Sequence, residues 1–182
     1  MRLTIFSLIV LILFVSNSMN AQNTQSGNPF FSEYTTPFKT PPFDKIKNKH
    51  YLPAFEEGIK NNRAELESII NNTEKPTFEN TIEALERSGK LLTKVSQVFF
   101  NISGSNSNDE IQKIAETITP ELSKLNNDIY LNDKLFKRIK SINDEKEKLN
   151  LTSEQLKVLD NYYTDFRSRS MCKWTLSQQR NM

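Results

Sequence analysis

The sequence predicts an all-α fold, an antiparallel helical array preceded by an extended N-terminal arm rich in aromatic residues and proline. Apolar residues recur at three- and four-residue spacing through most of the chain, and no segment shows the sustained alternation that marks strands. The chain also has only four glycines and seven prolines among its 182 residues. This composition favours helices over a sandwich of short strands joined by turns.

Residues 1–21 predict a cleaved signal peptide. Arg2 precedes an apolar run over residues 8–15, and small or polar residues lead to Ala21. The run is shorter than the ~20 residues that span a bilayer. We expect cleavage after Ala21, export to the periplasm or extracellular space, and no stable membrane anchor; an uncleaved anchor is the alternative.

Residues 22–43 predict a polar leader followed by the arm. Aromatic residues are interleaved with prolines here: Phe30, Phe31, Tyr34, Phe38 and Phe43 with Pro29, Pro37, Pro41 and Pro42. Proline blocks regular helix, and each aromatic side chain carries a large apolar surface. We expect an extended arm laid across the helical body; a mobile ligand-binding arm is the alternative.

Residues 44–167 predict a helical domain of five helices. The first covers residues 51–70, with Pro53 in its first turn, where the missing N–H costs little. The third carries the apolar residues of segment 111–125, and Pro120 should kink or split it.

The strongest periodicity belongs to the second helix. Its apolar and small residues step by four and three: Phe78, Ile82, Leu85, Gly89, Leu92, Ser96 and Phe99. This spacing places them on one helical face, which we expect to pack in the core. A coiled-coil dimer is the alternative use of the same pattern.

Capping residues mark the ends of these helices. Thr77, or Asn80 with Glu83, begins the second helix, and residues 101–108 form a polar turn after it. The remaining caps are Ser107 with Glu110 for the third helix, Asn132 for the fourth, and Thr152 with Gln155 for the fifth.

The composition excludes several classes of function. The formal net charge is +2, and no stripe of Lys and Arg is interleaved with aromatics, so we expect no nucleic-acid partner. Cys172 is the only cysteine, so the chain has no internal disulfide and depends on apolar packing. No histidine precedes or follows Cys172 closely enough in sequence to indicate an activated nucleophile.

Catalytic and metal-binding motifs are absent from the sequence. His50 is the only histidine, and it is followed by Tyr-Leu-Pro-Ala, so the H-E-x-x-H pattern of a zinc peptidase does not occur. Glu56 and Glu57 are neighbours, which lie about 100° apart around a helix and do not form a catalytic pair. We therefore assign no catalytic or metal residue, leave substrate-binding residues unknown, and expect a local structural role for His50.

Several ordered motifs resemble one family. They are Asn-Pro-Phe-Phe at 28–31, Thr-Pro-Phe at 36–38, Pro-Pro-Phe-Asp-Lys-Ile at 41–46, His-Tyr-Leu-Pro-Ala-Phe-Glu-Glu-Gly-Ile at 50–59, Pro-Thr-Phe-Glu-Asn-Thr-Ile-Glu-Ala-Leu-Glu at 76–86, Asp-Ile-Tyr-Leu-Asn at 128–132 and Leu-Asn-Leu-Thr at 149–152. The chain from about residue 28 to residue 167 resembles the N-terminal region of bacterial peptidyl-dipeptidases, zinc metallopeptidases of the thimet-oligopeptidase type.

The resemblance implies a nearly all-helical hydrolase several times longer than this chain. Members like this one release dipeptides from the C-termini of short peptides. They hold zinc through an H-E-x-x-H helix and a later Glu in the C-terminal half, and this chain contains none of those positions. The matching region implies one wall of the substrate channel, so we expect no zinc in this chain.

Residues 168–182 depart from the family pattern. No acidic residue follows Asp165, and the only Trp, Trp174, lies here beside Cys172. We expect this tail to be unstructured. A frameshift or premature stop, which would truncate the chain before the catalytic part, explains the break; a true alternative terminus or a misjoined gene model are the alternatives.

Two functions follow from these observations. The first is an N-terminal part of a secreted zinc peptidyl-dipeptidase, which supplies scaffold and channel wall and is inactive alone. The second is a free-standing helical module that binds peptides or a protein through the face from Phe78 to Phe99. The oligomeric state is not determined by the sequence.

Overall fold

The chain is all-α over the residues that the computed structural model describes, which are 27–179, with side chains described through Arg169. The α-helices are α1 Tyr51–Ile70, α2 Ala84–Arg87, α3 Lys90–Ser105, α4 Asp109–Tyr130, α5 Asp133–Asp144 and α6 Ser153–Gln179. A π-helical segment, Phe78–Glu83, leads into α2. Four 3-10 turns complete the described segment: Pro29–Phe31, Pro37–Lys39, Asn48–His50 and Lys146–Lys148. The all-α prediction is therefore confirmed.

The signal peptide predicted for residues 1–21 lies outside the described residues. Across 27–179, no helix is both long and apolar enough to cross a bilayer.

Helix α1 lies at the centre of the array. It packs antiparallel to α3, because Phe55 near its start contacts Phe99 near the end of α3, while Glu65 accepts a hydrogen bond from the N–H of Gly89 at the other end. The helices approach closely at Gly58, where an added Cβ would lie 3.0 Å from the Cα of Leu92.

Two further helix pairings complete the array. Helix α4 runs parallel to α1, with Asn48 bonded to Glu110 at one end and Arg63 paired with Asp128 at the other. Helix α6 packs antiparallel to α5, and the ring of Phe136 on α5 stacks on that of Tyr163 at 6.0 Å.

The interior consists of two apolar clusters. The arm-side core surrounds the start of α1: Phe30, Ile46, Tyr51, Ala54, Phe55, Val95, Val98, Phe99, Ile111 and Ile118. The far core surrounds its end: Leu66, Ile69, Phe78, Ile82, Leu85, Leu125, Leu135, Ile139, Ile142, Leu159 and Phe166. Leu92 packs against both clusters.

The prediction of one continuous second helix was wrong. Helix α2 ends at Arg87, Ser88 is extended, and Gly89 adopts a left-handed conformation with φ of 67° before α3 begins. Glycine takes this conformation without the steric cost of a Cβ. The core prediction for this face is confirmed, because Phe78, Ile82, Leu85 and Phe99 are buried and Leu92 is partly buried.

Helix α4 differs from its prediction in two respects. It continues from Asp109 through Pro120 to Tyr130 without a break. Pro120 has no N–H, so the carbonyl of Glu116 loses its helical hydrogen bond. Both residues are exposed, so water can donate to this carbonyl instead. The cap is Asn108, whose Oδ1 accepts from the N–H of Ile111 at 2.9 Å, not the predicted Ser107 with Glu110.

The other predicted caps agree with the structure. Thr77 and Asn80 exchange side-chain-to-backbone hydrogen bonds of 3.1 and 2.9 Å at the start of the π-helical segment. Thr152 and Gln155 do the same before α6, at 3.2 and 2.9 Å. The predicted turn at 101–108 is shorter than expected, since α3 extends to Ser105.

Helix α6 continues to Gln179, into the tail that we expected to be unstructured. Residues 168–179 contain no proline or glycine, so nothing in them interrupts a helix already nucleated and packed at Leu159 and Phe166. Residues 180–182 lie outside the described segment.

Candidate functional site

His50 occupies the 3-10 turn that precedes α1. Its Nδ1 accepts a hydrogen bond from the N–H of Lys47 at 3.0 Å, and its carbonyl accepts one from Nδ2 of Asn28 at 2.9 Å. Partial burial, together with the charges of Lys49 and Lys47, lowers the pKa of the imidazole below its ordinary value. His50 therefore closes a turn and holds the arm, as expected for a local structural residue.

The described residues do not form a zinc site. Glu57 pairs with Lys60 at 3.2 Å, while Glu56 is exposed and lies on another side of α1. Among side chains 27–169, no three His, Cys, Asp or Glu residues come together as a metal would require. Cys172 lies outside the described side chains.

A buried arginine joins α5 to the segment before α2. Arg138 is 8% exposed, and its Nη1 donates to the carbonyl of Asn72 at 2.7 Å. Its Nη2 donates to Oδ1 of Asn80 at 3.0 Å, and its Nε to Oγ1 of Thr81 at 3.3 Å. These neutral oxygens solvate the charge in place of water, while burial lowers the pKa of the guanidinium.

The motif at 76–86 is explained by this cluster. Asn80 accepts from Thr77 and Arg138 through one oxygen and donates to the carbonyl of Lys75 at 3.0 Å through its nitrogen. Thr77 and Asn80 thus shape the chain between α1 and α2. Sequence reasoning missed Arg138, although it lies three residues after Leu135 and four before Ile142 on the apolar face of α5.

A lysine fastens the first part of the arm to α3. The Nζ of Lys94 donates to the carbonyls of Phe30 at 3.0 Å and Ser32 at 2.6 Å, and lies 4.0 Å from the ring centre of Tyr34. Burial lowers the pKa of its ammonium group. Phe30 is 1% exposed, so this part of the arm lies across the helical body as predicted.

Several grooves of ligand-binding size lie on the described surface, and two of them have volumes of about 500 Å³ or more. One, of about 500 Å³, lies between the second half of α1 and the end of α4, where Arg63 and Asp128 form an ion pair of 2.6 Å beside Leu66, Ile70 and Leu125. The other, of about 550 Å³, lies between the arm and α3 and includes Lys94. Both combine apolar walls with polar groups, and neither was predicted from the sequence.

Comparison with known proteins identifies relatives of this chain. No protein-family model matches it. Dipeptidyl carboxypeptidase of Escherichia coli is 46% identical over 133 residues, which are 73% of this chain and 20% of that protein. Dipeptidyl carboxypeptidase of Salmonella typhimurium is 43% identical over 135 residues, 74% of this chain and 20% of that protein. Oligopeptidase A of Escherichia coli is 25% identical over 131 residues, 72% of this chain and 19% of that protein.

The chain spans about one fifth of the length of these relatives. The match nevertheless extends over nearly three quarters of this chain, at an identity that indicates common descent. The chain therefore belongs to the peptidase family of dipeptidyl carboxypeptidase and oligopeptidase A, and corresponds to one part of such a protein.

Proposed function

We propose that this chain supplies helical scaffold and one wall of the peptide channel in a secreted zinc peptidyl-dipeptidase that releases dipeptides from peptide C-termini. The observation that carries this proposal is the 46% identity to one fifth of dipeptidyl carboxypeptidase. Catalytic groups and zinc belong, in this proposal, to the remaining part of the protein.

The groove between α1 and α4 is the surface that we assign to the channel wall. Leu66, Ile70 and Leu125 give it apolar lining, and Arg63 with Asp128 place a charged pair at its surface. A peptide presents both apolar side chains and a polar backbone, so a surface of this mixed character suits it. A groove of about 500 Å³ has room for a short peptide.

The alternative, a free-standing binding module, loses its expected contact surface. Phe78, Ile82, Leu85 and Phe99 of this face are buried in the protein's own core, and Leu92 is partly buried against both clusters, so little of the face is open to a partner. A module of this kind would have to use another surface instead, such as one of the grooves.

A chimaera tests the proposed function. The matched residues of Escherichia coli dipeptidyl carboxypeptidase are replaced by those of this chain, and dipeptide release from short peptides is measured. We expect the chimaera to be active and the isolated chain to be inactive. A chimaera that is folded and monodisperse yet inactive would contradict the scaffold proposal, and micromolar peptide binding by the isolated chain would favour the binding module.

A single substitution tests whether the groove between α1 and α4 belongs to the channel wall. Arg63→Ala in the chimaera should raise KM with little change in kcat, because Arg63 contacts the groove and no reacting atom. Lys60→Ala is the matched control, since Lys60 is an exposed cation one turn earlier that does not line the groove. Equal effects of the two substitutions on KM would contradict the assignment of this groove to the channel wall.

Export is proposed from residues 1–21 and is tested separately. Expression of the full chain in a bacterial host, followed by N-terminal sequencing of periplasmic protein, should give a chain that begins at Gln22. Retention of the uncleaved chain in the cytoplasm would contradict export.

A further inference from the structure

The arm presents one aromatic side chain entirely to solvent. Residues 36–40, called here the 36–40 turn, are closed by hydrogen bonds from the N–H of Lys39 to Thr36 at 3.0 Å and from the N–H of Thr40 to Pro37 at 3.3 Å. The hydroxyls of Thr36 and Thr40 add bonds within the same turn. Phe38 at its tip is 99% exposed.

The backbone of this turn is unusual for its residues. Phe38 and Lys39 have φ of 56° and 54°, in the left-handed region that non-glycine residues avoid. A bulky aromatic residue in this conformation is a genuine outlier, and such outliers cluster at functional sites and ligand clamps. Contacts of the Phe38 ring among the described residues do not compensate this strain, because its side chain is fully exposed.

The 36–40 turn is held in place on both sides. Before it, Lys94 bonds the carbonyls of Phe30 and Ser32, and after it Ile46 is buried at 8% exposure. A loop whose two ends are already anchored loses less conformational freedom when it binds than a free loop does. Aromatic side chains that become buried on binding carry much of the energy of protein interfaces.

The surroundings of Phe38 are apolar and positively charged. Phe43, 55% exposed, is a second aromatic on the same segment. Between residues 33 and 50 the exposed charged side chains are Lys39, Lys45, Lys47 and Lys49 with Glu33 and Asp44, so four positive charges stand against two negative ones. Charge complementarity therefore favours a partner surface with an apolar pocket and an acidic rim.

We propose that Phe38 is a docking residue, whose ring enters an apolar, acid-rimmed pocket on the remaining part of the same peptidase. This inference rests on the proposed function. We infer the surface that covers Phe38 from the length of the relative. The matched part is 20% of dipeptidyl carboxypeptidase, so about four fifths of such a protein is available to cover the arm. A pocket within the same polypeptide also needs no second molecule to be present.

The docking is tested by the substitution Phe38→Gly, which should change the melting temperature differently in the isolated chain and in the chimaera. Phe38→Gly relieves the left-handed strain, so the melting temperature of the isolated chain should stay the same or rise. In the chimaera described above it should fall by several degrees, because the docked ring is lost. Lys39→Gly is the matched control, which relieves the same kind of strain without removing a ring and should lower the melting temperature in neither protein.

Photo-crosslinking identifies the surface that lies against the Phe38 ring. A benzoylphenylalanine at position 38 of the chimaera should crosslink, within one polypeptide, to residues of the Escherichia coli part. A crosslink between two polypeptides, a crosslink only to this chain's own residues, or none at all would overturn the proposal. If the chimaera is insoluble, the same residue at the position of the Escherichia coli relative that aligns with Phe38 gives the same readout.

The two proposals can fail separately. An active chimaera that shows no crosslink from position 38 and tolerates Phe38→Gly overturns the docking and leaves the scaffold function standing. An inactive chimaera that crosslinks from position 38 to the Escherichia coli part supports the docking and contradicts the scaffold function.

Discussion

The side-chain amide nitrogen of Asn62 lies 2.7 Å from the position that a β-carbon on Gly89 would occupy. Asn62 is buried on α1, and Gly89 is the left-handed residue between α2 and α3. The break between these helices is thus fixed by backbone conformation and by the side chain that fills the space beside it.

Gly89→Ala should therefore destabilise the protein. The left-handed conformation alone costs a residue with a β-carbon about 1–2 kcal/mol, and Asn62 must also move. Urea unfolding followed by circular dichroism measures the change. Gly104→Ala is the control, since Gly104 lies in α3 with open space around it and should gain ~0.5–1 kcal/mol. A neutral Gly89→Ala would mean that the break does not require glycine.

Arg138→Ala should lower the free energy of unfolding by about 1–3 kcal/mol, because oxygens of Asn72 and Asn80 lose their donor. Arg138→Lys should not restore it, since an ammonium cannot reach several acceptors as a planar guanidinium does. Lys137→Ala, an exposed neighbour, should have little effect. Full rescue by lysine would show that only the charge matters.

Leu85→Ala should cost ~2–5 kcal/mol, as expected for a large residue of the far core. Leu156→Ala removes the same atoms from a side chain that is 37% exposed, and should cost much less. Thermal and urea unfolding of both variants distinguish them. Similar losses for the two would contradict our assignment of the core.

Stability should fall at alkaline pH, with the largest contribution from Tyr162, while burial raises the pKa of Tyr34 and Tyr51 in the same direction. Burial, and then a hydrogen bond with Glu86, raise the pKa of the Tyr162 phenol above its ordinary value of 10.0. The unfolded chain loses the proton near pH 10 while the folded chain keeps it, so stability present below pH 10 declines as the pH rises further. In the Tyr162→Phe variant, the free energy of unfolding measured with urea should decline less steeply with pH. The comparison is made between about pH 9 and 11, roughly one pH unit on each side of the ordinary pKa of the phenol. An unchanged slope would exclude Tyr162 as its cause.

Lys94→Met should release the first part of the arm from α3. The carbonyls of Phe30 and Ser32 lose their shared donor. Chymotrypsin should then cleave after Phe30, which is 1% exposed in the intact protein, several-fold faster. Lys90→Met, which removes an exposed lysine one turn earlier on α3, should leave the cleavage rate unchanged.

Periodicity predicted the buried faces well, because burial depends on which residues share a side of a helix. Phe78, Ile82, Leu85 and Phe99 are all in the core. Periodicity does not report backbone conformation, so it could not show that Ser88 and Gly89 interrupt the helix. The pair Ser-Gly within a helical pattern was the available signal.

The buried cluster and the exposed turn were harder to predict. Arg138 bonds oxygens 57 to 66 residues earlier in the chain, and such contacts are set by tertiary packing. The sequence indicated that Phe38 belongs to an aromatic arm, but it could not separate the packed Phe30 from the exposed Phe38. Phe30 packs beside Tyr51 in the arm-side core, whereas Phe38 lies at the tip of a turn with its ring in solvent.

The bonds among Thr77, Asn80 and Arg138 join parts of the chain that lie far apart in sequence. Because Arg138 on α5 donates to oxygens in the segment before α2, the shape of that segment and its attachment to α5 depend on the same side chains. A motif that looks local in the sequence is therefore one half of a tertiary contact.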